Sequence, residues 1–409
     1  MKRLLVVAFA VMLITIFVFA SLEFFIPSLE VSNPDQKAKL QGFHFGVSFC
    51  GNTTAQAKLL INKVKACTNL FVVQSGPFSD NETDMNDIVN YAVASGLDVI
   101  VYFGYFNPNE AWQIPWIDSA KQQWNSHFLG VYLNDEPGGQ VIDANWTEFV
   151  GYADQLSIRS AQVPYEHVQS INLAMNGSLP FNSYAASESA YHFVTEWQAD
   201  LNLTQLQSLS INSFTSDYAL YWFDYEIGYN TILAELGSNQ SAIQAIDMVR
   251  GAADAQNKTW GTIITWNYDQ PPYIENSSAL YSQLVESYTA GANYEVIFDY
   301  PQIPGDAYGI LTQQDFAAMQ NFWDEIPTLK VNDAPKTALV LPKDYGWGMR
   351  SQSDLIWGLW KPDNTSAQIW SISQKLLSEY GLNLDIVYQD PQYPMQGRYQ
   401  QIYYWNQTV

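Results

Sequence analysis

Short runs of β-branched and aromatic residues alternate with amphipathic stretches along most of the chain. Within the stretches, apolar residues recur at helical spacing, as Leu59, Leu60 and Val64 do. This alternation is typical of consecutive strand–helix units, which build a parallel sheet. Eight strand candidates follow one another, at 43–49, 70–74, 97–105, 128–133, 211–217, 231–235, 260–266 and 294–298.

The number and spacing of these units predict one large domain. Eight units over about 285 residues match the usual size of a (β/α)8 barrel. The predicted fold class is therefore α/β, with a TIM barrel over 40–330 that contains a polar, aromatic insertion at about 161–210. A doubly wound open sheet is the alternative, but no Gly-rich phosphate loop follows any strand candidate. In a barrel, functional residues lie at the carboxyl ends of the strands.

The strand–helix pattern starts again at residues 334–409. Strand candidates at 337–342 and 384–388 flank a helix candidate at 367–380, and a short run at 401–404 could add a third strand. These elements predict a small, incomplete α/β domain with one βαβ unit. It is too short for a core of its own, so we expect it to pack on the barrel.

The N-terminal segment is hydrophobic and begins with two basic residues. Lys2 and Arg3 precede the uncharged run 4–20, and apolar residues return at 24–26. A bilayer span needs about 20 apolar residues, whereas a signal peptide needs about 7 to 15. We expect 1–29 to be an uncleaved signal anchor, with a cleaved signal peptide as the alternative. Both place the rest of the chain outside the cytoplasm, at the cell surface or secreted.

Asn-x-Ser/Thr sequons give a second indication of an exterior location. The chain has ten of them, where chance would give about three or four. Glycosylation is therefore expected if the host has the machinery. The sequons begin at Asn52, Asn81, Asn145, Asn176, Asn202, Asn239, Asn257, Asn276, Asn364 and Asn406.

The charge of the chain argues against one class of partner. Acidic residues number 41 and basic residues 18, which gives a formal net charge of −23. Such a surface repels phosphate backbones, so nucleic acid is not expected as a partner. Aromatic residues make up 15% of the chain, and their flat faces suit sugar rings as well as protein cores. The oligomeric state is left open.

The two cysteines, Cys50 and Cys67, are not expected to form a disulfide. Cys50 follows the first strand candidate, and Cys67 ends the antiparallel helix candidate after it. The two ends of such a unit lie well beyond the roughly 7 Å that a disulfide allows between Cα atoms. We therefore expect two free, buried thiols.

One strand end combines two carboxylates and an amide. Asn134-Asp135-Glu136-Pro137 closes the fourth strand candidate. Glycoside hydrolysis needs a carboxylic acid to protonate the leaving oxygen and a second carboxylate as nucleophile or base. The motif resembles that of the clan-A glycoside hydrolases, in which an Asn-Glu-Pro-like sequence after the fourth strand presents the acid/base Glu. The resemblance implies that Glu136 is the general acid and that Asn134 and Asp135 contact the substrate.

The seventh strand candidate departs from that family. A retaining clan-A enzyme presents its nucleophilic Glu there, but this chain reads Thr265-Trp266-Asn267-Tyr268-Asp269. The second catalytic carboxylate must come from another strand end. Glu235 after the sixth strand is favoured, and Asp217 after the fifth is next. Asp269 and Asp299 are the other available carboxylates, and both are candidate substrate-binding residues.

Aromatic side chains near the strand ends could stack on sugar rings. Trp266 and Tyr268 follow the seventh strand candidate, and Tyr102 and Tyr105 end the third. The alternative is that these rings fill the mouth of the barrel as ordinary core.

Other chemistries find little support in the sequence. The run Gly46-Val47-Ser48-Phe49-Cys50 lacks the final Gly of a nucleophile elbow. No metal site or cofactor is expected, because the histidines show no metal-ligand spacing. They are His44, His127, His167 and His192.

The resemblance to the glycoside hydrolases covers 43–326. By its position after a barrel and its βαβ pattern, the segment 334–409 resembles the amidotransferase-like domain of family 42 beta-galactosidases; it contains no cysteine, so it has no thiol nucleophile. The expected function is an extracytoplasmic glycoside hydrolase of unidentified glycan, with Glu136 as acid. The alternative is a non-catalytic carbohydrate-binding or cell-surface protein on the same barrel.

Overall fold

The structure, a computed structural model, describes residues 42–143, 190, 193–195, 203–237, 240–268, 270–271, 273–303, 307–358 and 360–407. The predicted signal anchor at 1–29 and most of the predicted insertion at 161–210 lie outside the described residues, as does Asp269. Within the described ranges, no helix is both long and apolar enough to cross a membrane.

Eight parallel strands close into a barrel in chain order, and the last strand pairs with the first. The predicted (β/α)8 fold is confirmed, with one strand at each predicted position. The strands are β1 His44–Phe49, β2 Leu70–Val73, β3 Asp98–Phe103, β4 Phe128–Leu133, β5 Ser213–Asp217, β6 Thr231–Leu236, β7 Thr259–Ile264 and β8 Tyr294–Asp299.

Helices connect the strands, and several begin at a polar residue whose side chain caps the first turn. Thr53, Asn81, Ser241, Asn276 and Thr312 each accept a hydrogen bond from a backbone N–H of the helix that follows. The helices are α1 Thr54–Val64, α2 Gly76–Ser79, α3 Glu82–Ala94, α4 Gln113–Trp124, α5 Pro137–Asp143, α6 Leu203–Ser208, α7 Tyr221–Ile227, α8 Ala242–Gln256, α9 Ser277–Thr289 and α10 Gln313–Glu325.

The barrel interior is filled by alternate residues of the strands. They form one buried cluster of Leu70, Val72, Ile100, Tyr132, Phe214, Leu233, Ile263, Tyr294 and Val296. Tyr102 packs against this cluster, with its ring edge-on to Tyr132 at 5.3 Å between centroids. Tyr102 therefore packs on the barrel core, which agrees with the alternative interpretation of these rings as core residues.

A small parallel sheet follows the barrel. Its strands are β9 Thr337–Leu341, β10 Leu384–Tyr388 and β11 Gln401–Tyr404, in the order β10-β9-β11. Helix α11, Asn364–Tyr380, connects β9 to β10 and packs on both. The barrel helix α8 packs against β10 as well, and residues 42–409 form one compact unit.

Helix α8 serves both the barrel and the small sheet, which explains why it is buried along most of its length. Gly251 allows the close approach, because a Cβ there would lie 2.8 Å from the carbonyl oxygen of Ile386. Helix α8 of the barrel thus also packs on the small sheet. An incomplete βαβ unit becomes stable by covering its apolar surface in this way.

A buried arginine joins α8 to the small sheet. The Nε atom of Arg250 donates to Asp385 at 2.7 Å, and its Nη2 atom donates to Asp247 at 3.0 Å and to the Leu384 carbonyl at 2.7 Å. Arg250, Asp247 and Asp385 are each 3% exposed or less. Burial raises the pKa of both aspartates, and the positive charge of Arg250 counters that rise.

We predict that Arg250→Ala lowers the free energy of unfolding by about 3 to 5 kcal/mol, because it leaves two buried carboxyl groups without their cation. Lys58→Ala is the matched control, since Lys58 pairs with Asp87 on the surface and should change the free energy by less than about 1 kcal/mol. Chemical denaturation measures both. Equal losses in the two variants would contradict the prediction.

Candidate active site

A cavity of about 370 Å³ opens among the carboxyl ends of the barrel strands. It brings together four of the predicted site residues, Asp135, Glu136, Glu235 and Trp266. The described residues that line it are Cys50, Gln74, Asp135, Glu136, Ser216, Glu235, Ile263, Thr265, Trp266, Phe298 and Tyr300.

The chain turns sharply between β4 and α5 to present Glu136. Asn134 and Glu136 have φ angles of 53° and 54°, a left-handed conformation that is uncommon for residues with a side chain. The backbone N–H of Glu136 donates to the carbonyl of Ser216 at 3.0 Å. Pro137 then begins α5, where its fixed φ suits the first helical position. Backbone strain of this kind concentrates at functional sites.

Asp217 holds this turn from the neighbouring strand. Its carboxylate accepts four backbone hydrogen bonds, from Gly138 at 2.6 Å, Gly139 at 2.8 Å, Tyr218 at 2.7 Å and Ala219 at 3.0 Å. Ser216 lines the cavity, so the alternation of the strand turns Asp217 outward. Asp217 therefore caps the N-terminus of α5, and the structure does not support its prediction as a catalytic carboxylate.

Glu136 and Glu235 meet in the cavity. Both side chains line it, although one follows β4 and the other lies on β6. Ser216 on the strand between them donates from Oγ to Oε1 of Glu235 at 2.5 Å. Glu235 is buried and Glu136 is half-buried. The sequence-based preference for Glu235 over Asp217 agrees with this arrangement.

A hydrogen-bond network supports the carboxyl pair from the barrel interior. Tyr132 donates from its hydroxyl to Oδ1 of Asp135 and to Oγ of Ser216, the latter at 2.7 Å. Gln74 donates from Nε2 to Asp135 at 3.5 Å, and Ser48 donates to Gln74 at 2.5 Å. Asp135 is thus held by neutral donors, which fixes the segment that carries Glu136.

Burial changes the ionisation of these acids. It raises the pKa of Glu136 to about 7, with a further rise from Asp135 and an opposing effect of the Glu235 hydrogen bond. It also raises the pKa of Glu235 well above its usual value, and the charges of Glu136 and Asp135 add to this rise. Two carboxyl groups in contact titrate as a unit. The pair therefore holds a proton near neutral pH and can donate it there.

Aromatic rings form one wall of the cavity. The ring of Trp266 lies edge-on to that of Tyr300, with 5.7 Å between centroids, and 5.1 Å from that of Tyr273. Trp266 stands where a retaining clan-A enzyme would present its nucleophile, beside Thr265. Tyr105 and Tyr268 are 44% and 40% exposed on the surface and do not line this cavity.

The other predicted residues lie outside the cavity lining. Asn134 is buried in the turn and donates through its backbone N–H to Phe103. Asp299 is fully buried and follows Phe298, which lines the cavity, so the alternation of β8 directs Asp299 toward the helices. Among the described residues, no group of three or more His, Cys, Asp or Glu side chains could hold a metal ion.

Both cysteines are free. Cys67 is buried as predicted, but Cys50 is only half-buried because it lines the cavity. Burial, with smaller effects of Asp135 and Asp299, raises the pKa of Cys50 to about 11. The thiol is thus neutral at physiological pH and a poor nucleophile.

Comparison with known proteins bears on the fold. No protein-family profile matches the sequence, and no curated protein matches it significantly. The chain is similar to a GH5_18 protein from Bifidobacterium longum subsp. longum, crystallised in complex with Manβ1-4GlcNAc. The TM-score is 0.51 at 10% identity, over 89% of this chain and 96% of that chain. This likeness shows the fold alone, a closed eight-stranded (β/α)8 barrel.

Two further glycoside-hydrolase structures are similar at a lower level. A GH5_18 protein from Bifidobacterium longum subsp. infantis has a TM-score of 0.49 at 11% identity, over 89% of this chain and 97% of that chain. The alpha-L-fucosidase isoenzyme 2 of Paenibacillus thiaminolyticus has a TM-score of 0.49 at 11% identity, over 88% of this chain and 59% of that chain.

Several cavity residues were not found from the sequence. Gln74 directly after β2 and Ser216 in β5 are uncharged, so charge gave no signal for either. Strand alternation could have indicated Ser216, because it stands two residues from the inward-facing Phe214. Tyr300 follows β8 in an irregular segment, and no pattern indicated its direction.

We predict that the free energy of unfolding falls as pH rises. The folded-state pKa values of Glu136 and Asp217 are about 7, above their usual 4.5 and 3.8. Such groups stabilise the fold fully below the unfolded-state pKa, and this stabilisation disappears as pH rises through the folded-state pKa. Denaturant unfolding between about pH 4.5 and pH 8 measures the slope. Glu136→Gln should flatten it, while Glu82→Gln, at an exposed position of α3, should not.

Proposed function

We propose that the protein is a glycoside hydrolase in which Glu136 is the general acid and Glu235 is the second carboxylate. One observation carries the proposal: the two carboxyl groups line the same cavity at the carboxyl end of the barrel. Glycoside hydrolysis by this route needs one protonated and one ionised carboxyl group at the same bond. A pair that holds one proton near neutral pH meets that requirement.

The distance between the two carboxyl groups determines the stereochemical outcome of glycoside hydrolysis. Retaining enzymes hold the two groups about 5 to 5.5 Å apart, and inverting enzymes hold them about 6.5 to 9.5 Å apart. We propose the retaining route, in which Glu235 acts as the nucleophile when the proton of the pair resides on Glu136, and Glu136 protonates the leaving oxygen.

The lining of the cavity suits a sugar ring. Trp266 and Tyr300 offer flat faces for the C–H-rich side of a pyranose, while Gln74 and Asp135 offer hydrogen bonds for hydroxyl groups. The GH5_18 protein of similar fold was crystallised with Manβ1-4GlcNAc, which makes that disaccharide a sensible first substrate to test.

A glycan-binding protein without turnover is the second candidate. It is favoured by the end of β7, where Thr265 and Trp266 line the cavity in place of the clan-A nucleophile. If Glu235 on β6 does not replace that nucleophile, the barrel has a glycan-binding site without a second catalytic carboxylate.

The proposed location is outside the cytoplasm, with 1–29 as the membrane anchor. The sequons support it, because each of the six sequon asparagines that the structure describes is exposed. Exposure is required for a bulky glycan. These residues are Asn52, Asn81, Asn257, Asn276, Asn364 and Asn406.

We predict that Glu136→Gln lowers turnover of natural glycosides by about 10² to 10⁴, because the amide cannot supply a proton. The same variant should keep most of its first-step rate on 2,4-dinitrophenyl glycosides, whose leaving group departs without protonation. Glu235→Gln should lose activity on both substrates, since it removes the nucleophile. Steady-state and burst kinetics measure these rates, with Glu82→Gln as the control and circular dichroism to verify the fold.

Unchanged turnover in Glu136→Gln would reject the assigned acid. If wild type turns over nothing, glycan binding can still be measured through Cys50, which lines the cavity, by protection of its thiol from alkylation at alkaline pH. Cys67 is buried and provides the internal reference. Protection without turnover would select the glycan-binding candidate.

A further inference from the structure

The loop between β9 and α11 reaches back to the barrel next to the cavity. The ring of Trp357 packs on that of Phe223 in α7, at 4.6 Å between centroids. Gly358 has a φ of 67°, and a Cβ at this position would lie 1.8 Å from the carbonyl oxygen of Val141. The backbone of this loop therefore lies directly against α5, the helix that follows Glu136.

Arg350 in the same loop binds the last residue of α5. Its Nη1 and Nη2 atoms donate to the two oxygens of Asp143 at 3.0 and 2.6 Å, which is a bidentate pair. The guanidinium also bonds Asp354 and lies 5.1 Å from the ring centroid of Tyr218. Tyr218 completes the group, because its hydroxyl donates to Asp143 at 2.6 Å.

These contacts hold α5 at both ends. Asp217 binds the backbone N–H groups at its start, and Arg350 binds Asp143 at its end. A helix of seven residues has little stability of its own, so its position depends on such contacts. Glu136 is the residue immediately before this helix, so a displacement of the helix also displaces Glu136.

Arg350 also affects the charge around Glu136. The acids that act on Glu136 come from three directions: Asp135 and Asp143 on its own segment, Asp217 from β5 and Glu235 from β6. The charge of Asp143 raises the pKa of Glu136, and Arg350 is the ion-pair partner of Asp143. Loss of Arg350 would leave Asp143 uncompensated.

We propose that Arg350 is a positioning residue for Glu136, which it reaches through Asp143 and α5, so that the loop after β9 forms part of the active site. Its catalytic consequence rests on the proposed glycosidase function. The small C-terminal unit then helps to hold the active site in place, because β9 and α11 anchor the two ends of the loop that carries Arg350.

The first test is kinetic. Arg350→Gln should lower kcat about 10- to 100-fold with a smaller change in KM, because a small displacement of Glu136 misaligns the proton transfer. The alkaline limb of the pH profile should move to higher pH, since the unpaired Asp143 makes Glu136 hold its proton longer. The double variant Arg350→Gln, Asp143→Asn should return the limb toward wild type. Arg398→Gln, which loses contacts to α8 away from the cavity, is the control.

The second test needs no substrate. Carbon-13 NMR of labelled glutamate carboxyl groups, with the Glu136 signal assigned by its loss in Glu136→Gln, follows the ionisation of Glu136 directly. The pKa should rise in Arg350→Gln and fall back in the double variant. An unchanged pKa would overturn the positioning role, whatever the turnover. The expected shift in a protein that hydrolyses no glycoside would support the positioning role and reject the proposed function alone.

Discussion

Closure of the eight-stranded ring is the constraint on which the rest of the structure depends. Because β1 pairs with β8, no strand of the barrel has a free edge. The carboxyl ends of all eight strands therefore surround one small space. Side chains that are remote in sequence, such as Glu136 and Glu235, are thereby brought into one cavity. The same closure removes water from them, and this desolvation raises the pKa of both carboxyl groups.

The site depends next on the turn that leaves β4. Two residues in a left-handed conformation aim Glu136 into the cavity, and a short helix then carries the chain away. Neither feature is stable by itself. Asp217 satisfies the backbone at the start of the helix, and Arg350 holds its end, so contacts from outside the cavity determine the geometry inside it.

The small C-terminal sheet illustrates how an incomplete unit is stabilised. It has three strands, α11 packs on β9 and β10, and α8 of the barrel packs against β10 as well. The buried cluster around Arg250 joins the two across that contact. The sheet and the barrel are therefore one structural unit, and a loop of the sheet is able to contact the helix next to the cavity.

The sequence by itself determined the barrel and indicated Glu136 at the end of its fourth strand. Runs of β-branched and aromatic residues and helical spacing are local patterns, so each strand–helix unit could be recognised from adjacent residues, and the motif at 134–137 marked the end of the fourth strand. Only the tertiary structure decided which strand-end residues enter the cavity. Ser216 faces inward and Asp217 outward because barrel closure fixes the rotation of β5, and Tyr102 turns into the core for the same reason. Arg350 meets Asp143 through a contact between distant segments, and no local pattern encodes such a contact.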